Sequence, residues 1–401
     1  MIDLVQDSSV PVTAGELKIS DVKVYPVRVG HRNLCLVKVE TDAGIHGWGE
    51  SGVSSRELAV AGAIEHFREF LVGRDAVRIG AIWQELYRGQ YFEGGRILTG
   101  AMSAIDIALW DIAGKTLGVP IHRLLGGKQR DRIECFITTT KPFDESLIED
   151  ARALADQGWR VIRATAGDPG SSTEVHELDV RRSIADGAAV MQEVRKELGD
   201  SITLGIDYHH RLSVAEAASF CQKMPSGTLD FIEEPIRQQM PGAYETLREM
   251  VDVPFAIGEE CASKWDFMPY IERGITSFAR IDICNVGGFS EAMKIAAAAE
   301  AHYIDVMPHD PLGPICSAAT IQFAAAIPNL SWCEVSPYEL RDEVGCARLF
   351  TNPPVERECF YEIGEAPGHG VDVNEEAAAS QTFEYWEAPR MKKPDGSFTN
   401  W

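Results

Sequence analysis

Residues 202–234, ITLGIDYHHRLSVAEAASFCQKMPSGTLDFIEE, contain one repeat of the pattern that decides the fold. An apolar, strand-like run, ITLGID, is followed by a segment with helical periodicity and then by a second strand-like run, LDFIEE. Ser213 stands where the helix is expected to begin. The first run ends at Asp207 and the second run reaches Glu233. The stretch therefore predicts a βα unit with acidic side chains at its strand ends.

The same rhythm extends on both sides of this unit from about residue 131 onward. We identify eight strands with helical segments between them: IECFITT, VIRATAG, ITLGID, LDFIEE, PFAIGEE, FARIDI, YIDVMPH and LSWCEVS. Eight strands alternating with seven helices over about 200 residues indicate an α/β fold, a (β/α)8 barrel that lacks its last helix. A doubly wound open sheet is the structural alternative that spacing alone leaves open. The sequence has neither a Gly-rich dinucleotide loop after its first strand nor a GxxxxGK phosphate loop.

The regions that flank the predicted barrel are organised differently. Before it, the strand-like runs LKISDVKVYPVRVG and LCLVKVETDAGIHGWGE precede helical stretches such as TGAMSAIDIALWDIAGKTLG, which predicts an α+β domain. After residue 340 the chain is loop-like, and we expect it to fold back on this first domain. The predicted division is an α+β domain over residues 16–130, a barrel over 131–340 and a C-terminal segment over 341–401.

The composition excludes several classes of function. Lys and Arg total 38 against 61 Asp and Glu, and the net charge of −23 opposes binding to nucleic acid or to anionic lipid. The nine cysteines are scattered without a CxxC pair, which is typical of reduced thiols in a cytoplasmic protein. The first fifteen residues lack the features of a signal peptide, and no segment has about 18 unbroken apolar residues. We therefore expect a cytoplasmic protein that acts on a small molecule.

Three carboxylates recur at equivalent positions in the predicted barrel. Asp207, Glu233 and Glu259 end strands three, four and five, with 26 residues between successive members. One βα unit per carboxylate would bring all three to the same rim, where active sites of such barrels lie. Three like charges repel unless a cation sits among them, and an all-oxygen set suits Mg²⁺. The trio predicts a magnesium site, although any one of these acids alone could simply be solvated at a loop.

Strands six, seven and eight supply further chemical groups. Asp282 and His309 end adjacent strands, so the carboxylate is expected to fix the tautomer of the imidazole and to raise its pKa, which prepares it to act as a base. Glu334 ends strand eight, and a raised pKa would let it donate or share a proton with an oxyanion. The rim is therefore expected to combine a metal, a base and an acid.

His209 is the predicted acid on the opposite side of the site. It follows Asp207 by two residues, so the two side chains lie on the same side of an extended chain. A substrate on the metal would then lie between His209 and His309. His210 is expected to point away, but alternation weakens beyond a strand end, so His210 is the alternative catalytic member.

In their order and spacing, these residues resemble the enolase superfamily, in its mandelate racemase subgroup, and in particular the D-galactonate dehydratase type. The resemblance covers nearly the whole chain from about residue 16 and rests on GWGE, SAIDIALWDIAGKTLGVPIHRLLGG, DYH, FIEEP, GEE, DICNVGG and PHDPLGP. It implies a (β/α)7β TIM-like barrel with an α+β capping domain built from the N-terminal region and the C-terminal tail. It also implies one Mg²⁺ per subunit, for which Mn²⁺ can substitute, and a homo-oligomer, often an octamer.

The resemblance further implies roles for the site residues. In the family, Mg²⁺ binds the carboxylate of an acid substrate and stabilises the enediolate that forms when the α-proton is removed. The roles are metal ligands for Asp207, Glu233 and Glu259, base for His309 with Asp282, acid for loss of the β-hydroxyl for His209, and support of the enolate oxygen for Glu334.

The implied activity is that of a hydro-lyase, which converts a sugar acid, an aldonate such as galactonate, to a 2-keto-3-deoxy acid. Many relatives carry a catalytic Lys near the end of strand two, where this chain has Arg163 and Thr165. Arg stays protonated, so it is a poor base but a good clamp for an anion, and dehydration is favoured over inversion. Two alternatives remain: a racemase or epimerase of a 2-hydroxy acid that uses the same enediolate, and a non-catalytic barrel that serves as a binding or scaffold protein.

Substrate selection is expected from two loops of the cap, GESGVSSRE at 49–57 and YFEGGR at 91–96. Each candidate in these loops could equally be a residue of the domain interface. The candidate substrate contacts are Arg163 from the barrel and Glu50, Arg56, Tyr91, Phe92 and Arg96 from the cap.

The carboxylate trio generates the first prediction. We expect EDTA to abolish activity and Mg²⁺ to restore it, and Mn²⁺ to substitute because it accepts the same oxygen ligands. Glu233→Gln should lose most of its metal affinity and keep its fold, because the rim of such a barrel is separate from its stabilising face. Turnover assays on metal-stripped protein, with circular dichroism of the variant, check both points. Full turnover without metal would contradict the magnesium site.

Overall fold

A three-stranded antiparallel sheet and four helices form the first part of the chain. The computed structural model describes residues 16–30, 32–89, 91–166, 175–335 and 343–400. In the sheet, β2 lies between β1 and β3. The elements of this part are β1 (Ile19–Val29), β2 (Arg32–Thr41), β3 (His46–Ser51), α1 (Glu57–Leu71), α2 (Ile79–Arg88), α3 (Arg96–Leu117) and α4 (Ile121–Leu124).

Helix α3 lies directly on β3 because two residues of that strand have no side chain. A Cβ atom at Gly47 would stand 2.0 Å from the carbonyl oxygen of Ala108, and one at Gly49 would stand 1.8 Å from that of Ala104. The two glycines share one face of the strand, and the two alanines are one helical turn apart. Trp48, between the glycines, is completely buried. The GWGE motif is therefore explained by close contact between sheet and helix.

Parallel strands and helices alternate through the second part of the chain. Its strands are β4 (Arg132–Thr139), β5 (Val161–Thr165), β6 (Val175–Glu177), β7 (Thr203–Asp207), β8 (Phe231–Glu233), β9 (Phe255–Ile257), β10 (Phe278–Ala279), β11 (Asp305–Val306) and β12 (Cys333–Glu334). Its helices are α5 (Glu145–Asp156), α6 (Val180–Leu198), α7 (Val214–Gln222), α8 (Pro241–Arg248), α9 (Lys264–Glu272), α10 (Phe289–Ala301) and α11 (Pro314–Ala326).

All of these strands except β6 form a closed ring. Hydrogen bonds connect them in the order β11, β10, β9, β8, β7, β5, β4. The ring closes because β12 pairs with β4, with Glu334 opposite Phe136, and because Val306 of β11 forms a parallel bridge with Leu330, just before β12. The predicted (β/α)7β barrel is confirmed, and the open doubly wound sheet is wrong.

Side chains fill the barrel interior in layers. One hydrophobic layer consists of Phe136, Val161, Phe231, Ala256 and Met307. Because side chains alternate along a strand, residues two positions further on point into the same interior one layer closer to the carboxyl ends. That next layer includes Arg163, Glu233 and His309. The change from apolar to charged side chains marks the beginning of the candidate site.

The C-terminal segment contacts several parts of the molecule. Its β15 pairs with barrel strand β4, its β17 pairs with β6, and Glu375 accepts hydrogen bonds at 2.6 Å from Lys38 and Tyr25 of the cap. The predicted boundary between residues 340 and 341 lies outside the described residues. The segment contains α12 (Glu343–Leu349), β13 (Phe350–Thr351), β14 (Glu356–Arg357), β15 (Phe360–Glu362), β16 (Asp372–Val373), α13 (Glu375–Ala379), β17 (Arg390–Lys392) and β18 (Phe398–Thr399).

Among the described helices, α3 alone has the length and composition of a membrane-crossing helix, and 83% of its apolar window is buried inside the protein. This burial is expected of a core helix packed on a sheet. All nine cysteines lie within the described part of the chain, where they are buried thiols and not disulfides.

The contact between β3 and α3 generates a stability prediction. Gly49→Ala should lower the free energy of unfolding by about 2 kcal/mol or more, because the added methyl group meets a helix carbonyl that cannot move without the helix. Urea denaturation followed by circular dichroism measures the change.

Gly62→Ala is the matched control. This glycine lies within α1, and the space that an added methyl group would occupy is open. Its replacement should leave stability unchanged or raise it by up to about 1 kcal/mol. Equal stability of the two variants would contradict the explanation of GWGE.

Candidate active site

Three carboxylates meet at the carboxyl ends of neighbouring barrel strands. Asp207 ends β7, Glu233 ends β8, and the two are partners in the register of this parallel pair. Glu259 follows the end of β9 by two residues. One oxygen atom of each lies within 4.8 Å of the others, and all three residues are buried. The regular spacing in the sequence therefore produces a carboxylate cluster in space.

The cluster fits a divalent cation. Burial raises the pKa of Glu233 to about 8, and the carboxylates of Asp207 and Glu259 add to the increase although two guanidinium groups oppose it. Such a cluster must take up either a proton or a cation to relieve the repulsion. Three carboxylate oxygens are the hard ligands that Mg²⁺ prefers, so Asp207, Glu233 and Glu259 would hold it.

Two arginines and two glutamates form a closed ring that includes Glu233. Arg163 donates from Nη1 to Glu233 Oε2 at 2.6 Å and from Nη2 to Glu334 Oε1 at 2.7 Å. Arg280 donates from Nε to Glu233 Oε1 at 2.6 Å and from Nη2 to Glu334 Oε2 at 2.6 Å. Each guanidinium thus bridges both carboxylates. The four residues come from four strands or strand ends, so the ring ties the barrel together across its interior.

The ring also supports the strand that carries His309. The two guanidinium carbons lie 5.1 and 5.3 Å from the ring centre of Phe136, within the range of a cation–π contact. Arg280 Nη1 donates to the carbonyl oxygens of Met307 at 3.1 Å and Pro308 at 2.7 Å, immediately before His309. Arg280 therefore positions a candidate metal ligand and a candidate base at once.

The charges of these groups match one divalent cation. Within the ring, two carboxylates balance two guanidinium groups. Asp207 and Glu259 add two negative charges beside it. A divalent cation held by these two residues and Glu233 would bring the sum of formal charges to zero, which buried charges require.

The ring bears on two expectations about its members. Arg163, expected as a substrate clamp, is buried and donates to Glu233, to Glu334 and, from Nε, to Thr138 Oγ1 at 3.1 Å, and its substrate contact remains a prediction. The raised pKa that a proton-donating Glu334 requires is not found: burial acts upward, but the two guanidinium groups outweigh it and hold the pKa at about 2. An ionised Glu334 accepts hydrogen bonds and has no proton to donate.

His309, which is half-buried, pairs with the buried Asp282. His309 Nδ1 lies 2.9 Å from Asp282 Oδ2, and Asp282 is itself held by the amide of Cys284 at 2.8 Å and the side chain of Asn285 at 2.9 Å. In the neutral form of His309, this contact places the proton on Nδ1 and leaves the lone pair on Nε2, which lies 3.7 Å from Glu259 Oε2. Burial favours neutral His309, but Asp282 and the other carboxylates nearby outweigh it and raise its pKa to about 9.

His209 and His210 form a tight turn after β7. Both adopt the left-handed conformation, with φ of 49° and 61°. His209 Nε2 lies 3.6 Å from Glu259 Oε1, and His210 Nε2 lies 3.0 Å from the same oxygen. His210 therefore does not point away from the cluster, which corrects the expectation. The extended-chain argument that placed His209 beside Asp207 does not apply, because the turn, and not alternation, brings both imidazoles to Glu259.

The environments of the two histidines that flank Glu259 differ. His309 faces its Oε2 and has a carboxylate partner on Nδ1. His209 faces its Oε1, and burial lowers the pKa of His209 although Glu259 and Asp207 act in the opposite direction. The two imidazoles therefore have opposite pKa shifts on two sides of one candidate metal ligand.

The expected substrate contacts of the cap occupy different environments. Arg56 pairs with Glu387 of the C-terminal segment at 2.5 Å, and the side chain of Tyr91 is 93% exposed. Arg96 lies 3.0 Å from Glu260, the residue after a candidate metal ligand. Arg96 is thus connected to the rim, whereas a substrate role for any of the three remains a prediction.

Glu50 links the cap to the loop that carries the candidate base. It is completely buried and accepts hydrogen bonds from the amides of Gly313 at 2.9 Å and Cys316 at 3.0 Å, at the beginning of α11. A carboxylate at a helix N-terminus satisfies free amides and interacts favourably with the helix dipole. The loop of His309 leads into this helix, so Glu50 fixes the cap against the site. Glu50 is therefore a residue of the interface between cap and barrel. This is the alternative that the sequence left open for each candidate in the cap loops.

Sequence analysis did not identify Arg280. This residue stands two positions before Asp282 in RIDI, so strand alternation alone would have placed it on the same interior face. An arginine that points into a barrel must pair with carboxylates. Strand alternation in RIDI could therefore have identified Arg280 as an interior residue. Its carboxylate partners, Glu233 and Glu334, could not be identified from a local pattern, because they lie 47 and 54 residues away along the chain.

Comparisons with known proteins agree with this geometry. Residues 146–377 match the family described as enolase C-terminal domain-like, and residues 11–126 match the N-terminal domain of mandelate racemase and muconate lactonizing enzyme. A D-galactonate dehydratase from Pectobacterium atrosepticum is 33% identical over 394 residues, covering 96% of this chain and all of the relative. A D-galactonate dehydratase from Variovorax paradoxus is also 33% identical, with the same coverage.

Solved structures show the same similarity. An enolase from Pantoea ananatis with bound D-gluconate and magnesium has a TM-score of 0.87 and 28% identity, covering 96% of this chain and all of that chain. A putative galactarate dehydratase from Agrobacterium radiobacter, with bound sodium and L-malate, has a TM-score of 0.85 and 26% identity, and the match also covers 96% of this chain and all of that chain. Each likeness extends over both the cap and the barrel.

The ring generates a prediction about metal affinity. Arg280→Lys keeps the charge, but one ammonium group cannot bridge Glu233 and Glu334 and also bind two carbonyl groups. We expect the variant to fold and its Mg²⁺ affinity to fall about 10- to 100-fold, as is typical when support of a metal ligand is removed. Isothermal titration of metal-stripped protein measures this.

The matched control is Arg248→Lys. Arg248 stacks on Phe255 and donates to the carbonyl groups of Val253 and Ile275, which lie before strands β9 and β10. Its replacement should leave Mg²⁺ affinity unchanged. If both variants bind Mg²⁺ like the unmodified protein, the ring does not position Glu233.

Proposed function

The chain belongs to the mandelate racemase and muconate lactonizing enzyme family of the enolase superfamily, and on this premise we propose that it dehydrates a sugar acid. The proposed substrate is an aldonate such as galactonate, and the product is the 2-keto-3-deoxy acid. The observation that carries the proposal is the arrangement of imidazoles around Glu259 in the carboxylate cluster: His309 lies beside one oxygen, and His209 and His210 lie beside the other. The names of the relatives, D-galactonate dehydratases, support this class of reaction and substrate.

We propose Mg²⁺ as the cofactor, held by Asp207, Glu233 and Glu259, with Mn²⁺ as a substitute. When bound, the cation would attract the substrate carboxylate and stabilise the negative charge that develops on it. The ring residues hold Glu233 in place for this purpose. Support comes from the all-oxygen donor set and from the magnesium present in the Pantoea ananatis structure.

His309 is the proposed base that removes the proton from C2. Its Nδ1 proton is directed to Asp282, so Nε2 is the atom that accepts. Asp282 then stabilises the imidazolium that forms, in the way that a carboxylate supports a catalytic histidine elsewhere. The pKa of His309 is raised by its carboxylate neighbours, and a bound divalent cation would oppose that increase and so favour the neutral imidazole that a base requires.

His209 is the proposed acid that protonates the departing hydroxyl group at C3. The C2 proton passes to His309, the C3–O bond breaks, and the hydroxyl leaves as water with the proton of His209. The resulting enol takes up a proton at C3 and loses the proton of its C2 hydroxyl, which gives the 2-keto-3-deoxy acid. The assignment of His209 as acid rests on its position opposite His309 across Glu259.

Racemisation or epimerisation of a 2-hydroxy acid is the second candidate. It would require His209 to return a proton to C2 on the face opposite His309. The strand-two position that carries a lysine in many relatives holds Arg163, whose donors are committed to Glu233, Glu334 and Thr138. Dehydration needs no base at that position, and this favours it.

We also propose that the enzyme works in the cytoplasm as a homo-oligomer. Nine buried thiols suit a reducing compartment. The homo-oligomer, with an octamer as the family form, rests on the resemblance alone, and the mass of the particle in solution tests it.

The two histidines generate the central prediction. In D₂O with a 2,3-dihydroxy acid, His309→Asn should lose both dehydration and exchange of the C2 proton, because nothing replaces the base. His209→Asn should lose dehydration but keep exchange, because His309 can still remove and return the proton. A general acid or base contributes about 10² to 10⁴ in rate, so proton NMR will resolve the difference.

His302→Asn is the matched control, because His302 is exposed at the end of α10 and bonds a backbone carbonyl. It should keep full activity. A panel of aldonates and aldarates identifies the substrate for these assays. Exchange retained by His309→Asn and absent from His209→Asn would reverse the two roles, and solvent deuterium at C2 without keto acid from the unmodified enzyme would favour epimerisation.

A further inference from the structure

The last described residue of the chain touches the catalytic turn. Asn400 Nδ2 donates to the carbonyl oxygen of His210 at 2.7 Å, and Asn400 Oδ1 accepts from Arg237 Nε at 3.0 Å. The strand β17 leads to this position by pairing with β6, and β18 then pairs back with β17. The C-terminal segment therefore reaches the rim through a small sheet of its own.

The turn that Asn400 contacts needs external support. His209 and His210 are consecutive residues with positive φ, a backbone conformation that residues other than glycine rarely adopt. On the incoming side, the amide of His209 bonds Asp207 Oδ1 at 2.7 Å and the amide of His210 bonds the carbonyl of Glu234 at 2.6 Å. On the outgoing side, the carbonyl of His210 is held by Asn400.

Asn400 also connects this turn to the neighbouring rim. Its partner Arg237 binds both carboxylate oxygens of Glu260 at 2.6 Å, and Arg96 of the cap binds Glu260 at 3.0 Å. Glu260 follows the candidate metal ligand Glu259. A continuous set of polar contacts thus extends from the C-terminal segment to the cap, past the proposed acid and the proposed metal site.

We propose that Asn400 is a positioning residue that holds the His209–His210 turn in its left-handed conformation and so places His209 for catalysis. The contact with the His210 carbonyl is the part that matters, and Arg237 orients the amide so that Nδ2 faces that carbonyl. This inference rests on the proposed function for its effect on rate, but the conformation of the turn can be tested without it.

Asn400→Asp separates the two contacts because it is isosteric. The aspartate keeps an oxygen for Arg237 but replaces the donor to His210 with a second acceptor, which repels the carbonyl. We expect kcat for dehydration to fall about 10- to 100-fold, since a displacement of about 1 Å in a catalytic group has effects of this size. KM and Mg²⁺ affinity should change less than about twofold, and exchange of the C2 proton should persist, because His309 is untouched.

Two further variants complete the experiment. Asn400→Ala should reproduce the loss seen with Asn400→Asp, because both lack the donor to His210. Ser397→Ala is the control in the same segment: its hydroxyl bonds Asp395 of its own hairpin, away from the turn, and the variant should leave kcat unchanged. Crystal structures of Asn400→Asp and the unmodified enzyme show the turn directly.

The outcomes distinguish this inference from the proposed function. Normal kcat in Asn400→Asp with a loss in Asn400→Ala would mean that the tether to Arg237 alone matters, and would overturn the proposal. Equal loss of dehydration and exchange would also overturn it, because the defect would not be confined to His209. If the unmodified enzyme dehydrates no sugar acid, the proposed function fails. An unmoved turn in the Asn400→Asp structure would then still contradict the inference, and a displaced turn would support it.

Discussion

The active site depends on the ring of two arginines and two glutamates that closes across the barrel interior. Glu233, one of the three candidate metal ligands, must keep a fixed orientation if the cluster is to hold a divalent cation. The ring fixes this orientation, because Arg163 and Arg280 bind Glu233 from two sides and are themselves balanced by Glu334. Its hydrogen bonds are charge-assisted and fully enclosed, so the geometry is rigid. The neighbouring layer of apolar side chains keeps water from its lower side.

Elements outside the barrel are coupled to this rigid centre at a few defined points. Glu50 of the cap accepts hydrogen bonds from amides at the beginning of α11, the helix that follows the His309 loop. Arg96, at the beginning of α3, binds Glu260 beside the carboxylate cluster. Helix α3 is in turn fixed to β3 by the close approach at Gly47 and Gly49. The cap is therefore oriented against the rim by contacts at Glu260, which follows Glu259 directly, and at Gly313, at the end of the His309 loop.

The sequence predicted most of the site because regular spacing along the chain places the ends of successive parallel strands at one rim of the barrel. Asp207 and Glu233 are the last residues of their strands, and Asp282 and His309 form the expected pair. What could not be predicted depends on contacts between distant residues. The pKa of Glu334 was misjudged because its direction is decided by two arginines from other strands. The placement of His210 depends on left-handed backbone angles, for which a histidine pair gives no pattern.

The contact between the end of the chain and the site has a consequence for how the protein is made. Ribosomal synthesis proceeds from the amino terminus, so every barrel strand is available before β17, β18 and Asn400 have been synthesised. The pairing of β17 with β6 spans more than half of the chain, so it cannot form until synthesis has passed Lys392. The barrel can therefore assemble while the turn at His209 still lacks its last support. On the proposed role of Asn400, a nascent chain that has folded its barrel would contain all the chemical groups of the site and reach full activity only after β17, β18 and Asn400 dock.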